Sequence, residues 1–346
     1  MTCLVFSLPL PPLAHTPRFS VEKVASVAKD LYGVRGTVAQ LPSERDQNFQ
    51  LTHQSGHKFV LRIANGLEDP AILDAQNRIS QHLSGIFPYC QRLIASRHGK
   101  YLEEVVSSTG RTHFVRLNSY LPGVPLAEIE SHSPGLLEDF GHKLGLLDKA
   151  LLRFDHPAIH RKFHWDLAQW ESVVSSHCEL VQNTHLRTAI SNYALDFAQR
   201  IAPMLRSLRL SCIHGDANDY NILVDPGSLA VVGFIDFGDT IYSYTVGDLA
   251  IALAYVALNN ESPLESATHV VKGYTQTLPL EENELSVVWP LMLMRLCMSV
   301  CLAAYQQSQQ PDNDYLEISQ TAIQRSLPGL LSIDLSHAAS TLYVRT

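Results

Sequence analysis

Short runs rich in β-branched and aromatic residues, several with alternating polar positions, dominate the first third of the chain. Turn-forming residues such as Gly56 and Gly110 separate these runs, as expected for antiparallel strands. Two stretches instead have helical spacing: one follows a capping Ser20 and ends near Gly33, and the other covers residues 69–83. The pattern predicts an antiparallel sheet with one inserted helix and with strands at residues 34–41, 48–53, 58–64, 101–106 and 112–119.

The hydrophobic spacing changes to a helical period after Pro122, Gly123 and Pro125 interrupt the chain. Beyond that point, only residues 222–224 and 231–235 have the pattern of strands. The predicted helices cover residues 135–152, 165–180, 185–205, 248–258, 263–278, 283–307 and 314–326.

These two patterns predict an α+β fold of two lobes. A small antiparallel N-terminal lobe would cover residues 1–118, a hinge would follow at 119–125, and a larger, mostly helical lobe would cover residues 126–346. A length of 346 residues agrees with two such units.

Charged side chains are sparse, at 17% of the residues, where about a quarter is usual. The net charge of −8 argues against a protein that neutralises many nucleic-acid phosphates, so we expect no nucleic-acid partner. An excess of acidic groups suits a cationic small molecule better. Six scattered cysteines without a C-x-x-C pair are typical of reduced thiols, which indicates a cytoplasmic protein.

One apolar stretch, residues 287–305, nearly reaches the length of a membrane span. It contains Pro290 near its start and a single charged residue, Arg295, near its centre. Because isolated spans seldom carry a central charge, we interpret the stretch as a buried core helix and expect no membrane association.

Two short motifs in the helical lobe carry candidate chemistry. The first is HGDANDYN at residues 214–221, and the second is IDFGD at residues 235–239. Together they supply Asp216, an Asn five residues later, and an Asp fifteen residues after that Asn, at the end of a predicted strand. Phosphoryl transfer needs these groups: a carboxylate that orients the attacking hydroxyl, and oxygen ligands for Mg²⁺.

The two motifs resemble those of the aminoglycoside phosphotransferase and choline kinase superfamily, whose fold is protein-kinase-like. The resemblance implies that Asp216 is the catalytic base and that Asn221 and Asp236 bind Mg²⁺. It also implies that His214 organises the catalytic loop and that Asp248 supports this loop from the following helix. Capping of loops by Asp and Asn is the alternative explanation of such residues.

The resemblance assigns nucleotide binding to the β-rich lobe, although the chain contains neither a G-x-x-x-x-G-K-[ST] nor a G-x-G-x-x-G motif. The segment LPSERDQNF, residues 41–49, lies between two predicted strands, where a kinase places its phosphate-covering loop. Ser43 and Asn48 are its candidate phosphate contacts, and a polar hairpin turn is the alternative.

Four further residues are assigned to the nucleotide site by the same resemblance. Arg62 occupies the position of the phosphate-pairing Lys, and Asp74 matches its acidic partner, usually Glu. Arg keeps the charge but is not interchangeable with Lys. The linker LNSYLPG, residues 117–123, matches the segment that contacts the nucleotide base, and it brings in Asn118 and Tyr120.

Further segments resemble hydroxylysine kinase-like members of the superfamily, among them residues 144–151, 156–167, 295–305 and 313–316. This implies a kinase that transfers the γ-phosphate of ATP or GTP, with Mg²⁺, to the hydroxyl of a hydroxylated amino acid of the hydroxylysine type.

Four residues are candidates for contacts with this acceptor. Arg295 would receive a carboxylate, Asp239 and Asp166 an ammonium group, and Trp165 would line the same site. The alternatives are a buried ion pair of Arg295 with a carboxylate such as Asp248, and helix capping by Asp166.

Other acceptors remain open at this point, namely homoserine, choline, methylthioribose or an aminoglycoside, because similarity of fold does not determine the acceptor. An inactive kinase-like binding module is an alternative of another class, and a metal-dependent hydrolase is a third. The presence of Asp216, Asn221 and Asp236 favours the kinase. The sequence makes no prediction about the oligomeric state.

Overall fold

The structure, a computed structural model of the chain, describes residues 15–43, 45–309 and 320–343. The chain divides into two compact units, Leu10–Pro122 and a second that includes Gly123–Thr346. Two predictions, the segment at 313–316 and the start of the helix at 314, lie outside the described residues.

The first unit is a six-stranded antiparallel sheet with one helix inserted between its third and fourth strands, as predicted. The strands follow the order β1-β2-β3-β6-β4, and β5 also pairs with β6. Their bounds are β1 Gly36–Leu41, β2 Gln47–His53, β3 Lys58–Ile63, β4 Leu93–Ile94, β5 Glu103–Val106 and β6 Thr112–Ser119.

Two helices accompany the sheet. Helix α1, Val21–Val27, begins at a Ser20 cap, and its last turns widen to a π-helix that ends at Gly33. Helix α2, Pro70–Leu83, is the inserted helix. Asp69 caps it by accepting a hydrogen bond from the Ala71 N–H, and Pro70 fits the first helical turn because its missing N–H has no partner to lose there.

The second unit is mainly helical. Its long elements are α3 Pro134–Leu151, α4 Trp170–His177, α5 Thr184–Arg200, α6 Val246–Val256, α7 Pro263–Thr275, α8 Glu282–Gln309, α9 Gln320–Leu331 and α10 Leu335–Leu342. The strands form two small antiparallel sheets, made by β7 Val124–Pro125, β8 Leu210–Ile213, β9 Ile222–Asp225, β10 Ala230–Phe234 and β11 Ile241–Tyr244.

The sequence patterns missed three strands of this unit, the two-residue strand β7 together with β8 and β11, and misplaced one helix start. Strands β8 and β11 have four residues each, which is too short for a clear alternating pattern. The helix predicted from residue 165 begins at Trp170, because Asp166 caps a preceding 3-10 turn at Leu167–Gln169.

Helices α3 and α7 approach so closely that glycines are required at their contact. A Cβ atom on Gly141 of α3 would overlap the Val270 carbonyl oxygen, and one on Gly273 of α7 would overlap the Glu138 carbonyl oxygen. The backbones of the two helices therefore pack directly against each other.

Helix α8 is long and apolar enough to cross a membrane, but 89% of its apolar window is buried inside the protein. The helix packs against α4 and α6. The interpretation of residues 287–305 as a core helix agrees with this burial. Arg295, within these residues, is only 2% exposed.

Candidate active site

Two strand pairings bring the motif residues together. Strand β8 pairs with β11 through Ile213 and Ile241, so the loop that starts at His214 lies beside the end of the second motif. Strands β9 and β10 pair through Ile222 and Phe234. Because Asn221 precedes β9 and the IDFGD segment follows β10, the two motifs meet at one end of this hairpin.

Asp248 holds the start of the catalytic loop. It lies in the first turn of α6, is fully buried, and accepts hydrogen bonds from the backbone N–H groups of His214 at 2.6 Å and Gly215 at 2.8 Å. Two hydrogen bonds to a buried carboxylate fix both peptide groups, since leaving either partner unpaired would be unfavourable.

His214 links the two motifs through its ring. Its Nε2 lies 3.0 Å from the Ile235 carbonyl oxygen, and its Nδ1 lies 3.3 Å from the backbone N–H of Asp216. A carbonyl only accepts and a backbone N–H only donates, so the proton is assigned to Nε2. The ring also packs against Phe237 at 4.6 Å between centroids. Both ring nitrogens are thus used to organise the loop.

Asp216 lies at the centre of the site, with each carboxylate oxygen held separately. Oδ2 accepts hydrogen bonds from Asn218 Nδ2 at 2.9 Å and from Asn221 Nδ2 at 2.8 Å. Oδ1 accepts from Arg295 Nη2 at 3.1 Å. Asn221 also donates to the Asp216 carbonyl oxygen at 2.9 Å, which fixes the orientation of its amide.

The groups around Asp216 shift the pKa of its carboxyl in opposite directions. Burial raises the pKa of its carboxyl to about 6, and the nearby charge of Asp239 acts in the same direction. Arg295 and His214, together with the hydrogen bond from Asn218, lower this pKa. The site therefore partly buries a carboxylate and surrounds it with donors that favour its charged form.

The IDFGD segment forms a tight turn after β10. Asp236 has φ of +63°, a left-handed conformation that Asp and Asn tolerate better than most residues, and its Oδ1 accepts from the Gly238 N–H at 3.3 Å. Arg161 secures the turn by donating to the carbonyl oxygens of Gly238 at 3.1 Å and Thr240 at 3.5 Å.

Gly215 occupies the closest approach between the two motifs. Its φ is +81°, and a Cβ atom there would collide with the Asp239 carbonyl oxygen. Glycine is thus required for both the backbone conformation and the available space.

A small pocket with an empty volume of about 240 Å³ lies beside the catalytic loop. Its walls include Trp165, Asp166, Gly215, Asp239 and Ser243. Asp166 Oδ1 accepts hydrogen bonds from Ser243 Oγ at 2.5 Å and from the Ala168 N–H at 3.0 Å, so it caps the 3-10 turn and also faces the pocket. Burial raises the pKa of the Asp166 carboxyl.

Arg295 is buried beside this pocket. Its Nη1 donates to the Trp165 carbonyl oxygen at 2.7 Å, and its guanidinium carbon lies 4.6 Å from the centre of the Trp165 ring. Of the two roles weighed from the sequence, the structure shows a buried ion pair, formed with Asp216 and not with Asp248. Its role as a contact of the acceptor carboxylate stays a prediction.

The candidate nucleotide residues lie in the first unit. Asn48, in β2, accepts at Oδ1 from Arg62 Nε of β3 at 3.4 Å. Asp74, in α2, accepts from Arg78 at 2.7 Å, and both of those side chains are about half exposed. The Arg62–Asp74 pair stays a prediction. Ser43 is exposed in the turn after β1.

The linker residues lie at the end of strand β6 and directly after it. Asn118, in β6, is 8% exposed, and its Oδ1 has no hydrogen-bond partner within the described part of the protein. The Tyr120 N–H donates to the Lys58 carbonyl oxygen at 3.3 Å, and the Lys58 ammonium group lies 5.1 Å from the Tyr120 ring centre.

Sequence reasoning missed two residues of the catalytic loop. Asn218 binds Asp216 directly, and its Oδ1 also accepts from the N–H groups of Tyr220 and Asn221. Asp219 has a buried Oδ1 without a partner in the described residues, and burial raises its pKa to about 6. Their position inside HGDANDYN was the only available signal.

The chain is similar to known proteins in both sequence and structure. A model of the phosphotransferase enzyme family (APH) matches residues 37–278. The chain is 31% identical over 317 residues to hydroxylysine kinase of Danio rerio, covering 88% of this chain and 89% of that protein. It is also 31% identical over 330 residues to hydroxylysine kinase of Bos taurus, covering 88% of this chain and 87% of that protein.

Solved structures show the same fold at low sequence identity. Amicoumacin kinase hAmiN, in complex with AMP-PNP, Ca²⁺ and Ami, aligns with a TM-score of 0.70 at 16% identity, over 92% of this chain and 97% of that one. A microcompartment-associated aminopropanol kinase aligns with a TM-score of 0.70 at 16% identity, over 93% and 98%. The predicted protein-kinase-like fold, with an antiparallel N-lobe and a helical C-lobe, is confirmed. The chain belongs to the phosphotransferase enzyme family, and it is a small-molecule kinase that acts on hydroxyl groups.

Proposed function

We propose that this kinase transfers the γ-phosphate of ATP or GTP to the side-chain hydroxyl of a hydroxylated amino acid of the hydroxylysine type, with Mg²⁺. The observation that carries the proposal is the arrangement around Asp216. Its carboxylate is held by two side-chain amides and one guanidinium, and one of these amides belongs to Asn221, a residue expected to bind the metal. The similarity to two hydroxylysine kinases supports the choice of acceptor.

In this proposal, Asp216 is the catalytic base. Because its carboxylate is fixed by three donors, it presents an oriented acceptor to the attacking hydroxyl before the nucleotide arrives. His214, Gly215 and Asp248 position it through the backbone of the loop. None of these three needs to exchange a proton with the substrate.

Asn221 and Asp236 would hold Mg²⁺. Their amide and carboxylate oxygens are the hard ligands that Mg²⁺ prefers, and the Asn221 amide already turns its nitrogen toward Asp216. Within the described residues, no three His, Cys, Asp or Glu side chains are grouped to hold a metal, which suits an ion bound by two side chains and by phosphates. The bound ion would neutralise phosphate charge.

The donor nucleotide would bind to the β-rich unit. Ser43, Asn48 and Arg62 are the proposed phosphate contacts, and Asp74 is the proposed partner of Arg62. Asn118 and Tyr120 would contact the base, and the unpartnered Oδ1 of Asn118 supports this, since it can accept a hydrogen bond from a base amino group.

The acceptor would occupy the pocket beside the catalytic loop. Asp166 and Asp239 would attract its ammonium group, and Trp165 would cover it by a cation–π contact. All five described cysteines are free thiols, which supports a cytoplasmic location.

The decisive experiment is an assay of ADP or GDP release over a panel of acceptors. The panel contains 5-hydroxylysine, homoserine, choline, methylthioribose and an aminoglycoside, each with MgATP and with MgGTP. We expect turnover to be fastest with 5-hydroxylysine. Faster turnover of another acceptor would refute the acceptor class, and nucleotide binding without turnover of any acceptor would favour an inactive binding module.

A matched variant tests the role of the base. Asp216→Asn keeps the size of the side chain but removes the negative charge, so turnover should fall by at least about 100-fold. The affinity for MgATP or MgGTP, measured by calorimetry, should stay within a few-fold of the wild-type value. An active Asp216→Asn variant would contradict the assignment.

A further inference from the structure

Arg295 is the single charged residue in residues 287–305 of helix α8, and it is 2% exposed. Burial of a guanidinium is unfavourable unless charged and polar groups replace its water shell. The groups that replace this shell show what the residue does. They include two parts of the candidate active site that lie 51 residues apart in sequence, Trp165 and Asp216, and the hydroxyl of Tyr255 in α6 also interacts with the guanidinium.

The guanidinium contacts these two parts at the same time. Nη1 donates to the Trp165 carbonyl oxygen at 2.7 Å, while Nη2 donates to Asp216 Oδ1 at 3.1 Å. The flat guanidinium also lies over the Trp165 ring, with 4.6 Å between its central carbon and the ring centre. Because the guanidinium is planar and rigid, these contacts fix the pocket wall relative to the carboxylate.

The distribution of donors on Asp216 indicates which oxygen is left for the substrate. Oδ2 accepts from two amides, those of Asn218 and Asn221, which uses both of its lone pairs. Oδ1 accepts from Arg295 in the hydrogen bonds described here, so one lone pair of Oδ1 can accept the hydrogen bond of an attacking hydroxyl.

We propose that Arg295 is a positioning residue, which holds Asp216 with Oδ1 directed to the acceptor hydroxyl and aligns this carboxylate with the Trp165 wall of the acceptor pocket. The inference rests on the proposed function of the same site. Arg295 acts through Asp216 and Trp165 and does not itself contact the acceptor. Lys cannot replace it, since a single ammonium nitrogen cannot span both partners with a planar fork.

The burial of Arg295 favours the positioning role over direct binding of an acceptor carboxylate. Both terminal nitrogens already donate within the protein, and Nε is buried without a hydrogen-bond partner in the described residues. A carboxylate fork would require two accessible nitrogens on one side of the guanidinium.

The first test compares Arg295→Gln and Arg295→Lys in the full-length enzyme with MgATP or MgGTP. Loss of alignment by about 1 Å should lower kcat about 100-fold, with the KM values of nucleotide and acceptor changed only a few-fold. The loss should be equal for 5-hydroxylysine and for its methyl ester, which lacks the carboxylate. An increase in KM confined to 5-hydroxylysine, or an unchanged kcat, would overturn the proposal.

Arg209→Gln is the matched control. Arg209 also forms a partly buried ion pair with a residue of α8, donating to Glu284 at 2.5 and 2.7 Å, and among the described residues its side chain makes no hydrogen bond to the candidate site. Its removal should lower the thermal stability while leaving kcat within a few-fold. If Arg209→Gln lowers kcat as strongly as Arg295→Gln, general destabilisation explains both effects and the positioning role is wrong.

A stability cycle tests the ion pair without any turnover. The change in melting temperature caused by Arg295→Gln should be clearly smaller in an Asp216→Asn background than in the wild type, because the charge that Arg295 pairs with is already gone. Equal changes in both backgrounds would overturn the pairing. A wild type that turns over no acceptor would refute the proposed function alone, since this cycle still decides the pairing.

Discussion

At the scale of single residues, the site depends on buried polar groups whose partners come from distant parts of the chain. Asp248 holds two backbone N–H groups, and the Asp216 carboxylate is shared by two amides and a guanidinium. Each is a charged group placed where water is scarce, so that removing one partner leaves another unpaired. The loop conformation between them relies on Gly215.

Gly215→Ala should therefore damage both stability and turnover. The left-handed φ of +81° alone costs about 1–3 kcal/mol with a side chain, and the collision with the Asp239 carbonyl adds to it. We expect a drop in the free energy of unfolding, measured in urea, and a fall in kcat of at least tenfold, because the catalytic loop must shift.

Gly110→Ala is the control for this prediction. Gly110 has nearly the same φ, +80°, but nothing lies within 4 Å of a Cβ atom there. This variant should lose only the strain energy and keep its kcat. Equal losses of kcat in the two variants would contradict the close-approach argument.

The sequence indicated Asp216, Asn221 and Asp236 in the two compact motifs, but it did not indicate Asn218 and Asp219 of the same loop or the distant partners of these residues. HGDANDYN and IDFGD pointed to Asp216, Asn221 and Asp236 because local spacing carries the chemistry. The pairing of Arg295 with Asp216 spans 79 residues, and it depends on how α8 packs in the second unit. A one-dimensional pattern shows that a buried Arg needs a partner, but not which carboxylate supplies it.

At the scale of elements, the helical unit is organised by direct contact of backbones and by buried acids. Helix α3 packs against α7 at Gly141 and Gly273, and it also carries Asp148. Asp148 is fully buried and accepts a hydrogen bond from Tyr274 of α7 at 2.6 Å. The positions of the helices were predictable from the spacing of hydrophobic residues in the sequence. The contacts between α3 and α7 were not.

Gly141→Ala should destabilise the helical unit, because the added methyl group would overlap the Val270 carbonyl oxygen of α7. Overpacking of this kind typically costs about 1–3 kcal/mol. Gly135→Ala, on the same helix but with open space around it, should leave the free energy of unfolding unchanged or slightly higher. Similar destabilisation by both variants would show that the helix contact is not responsible.

Asp148 should make the stability depend on pH. Burial, followed by the charge of Asp248, raises the pKa of the Asp148 carboxyl well above its usual value; Tyr274 and Arg209 lower it. The folded state then retains a proton that the unfolded state releases above about pH 4, so stability falls as pH rises, by up to about 1.4 kcal/mol per unit.

Asp148→Asn mimics the protonated group and should remove this slope. Urea unfolding between pH 5 and 8 should show the variant gaining stability relative to the wild type as the pH rises. Glu179→Gln, a change at a side chain that is 85% exposed, should give a curve parallel to the wild type. A parallel curve for Asp148→Asn would contradict the prediction.

At the scale of the whole molecule, the chain combines a β-rich unit with candidate nucleotide contacts and a helical unit with the candidate catalytic residues. The change in hydrophobic period predicted an antiparallel β-rich part followed by a mostly helical part, and the structure contains both. Short strands such as β8 and β11 escaped detection because four residues do not establish a period.

Nucleotide should stabilise this molecule in a metal-dependent manner. At a concentration 100 times its Kd, a ligand that binds the folded state alone adds about 2.7 kcal/mol. We expect ATP or GTP with Mg²⁺ to raise the melting temperature, and EDTA to remove most of the increase. An increase that is insensitive to EDTA, or absent with both nucleotides, would contradict the metal site proposed at Asn221 and Asp236.

The left-handed backbone at Asp236 determines which substitutions can be interpreted at that position. Most side chains would impose steric strain at φ of +63°, so Asp236→Ala changes the loop conformation as well as removing a ligand. Asn tolerates this conformation and retains an oxygen that can accept the Gly238 N–H. Asp236→Asn is accordingly the substitution suited to trapping a bound, unreacted complex, because it alters the charge at the metal position while preserving the backbone around it.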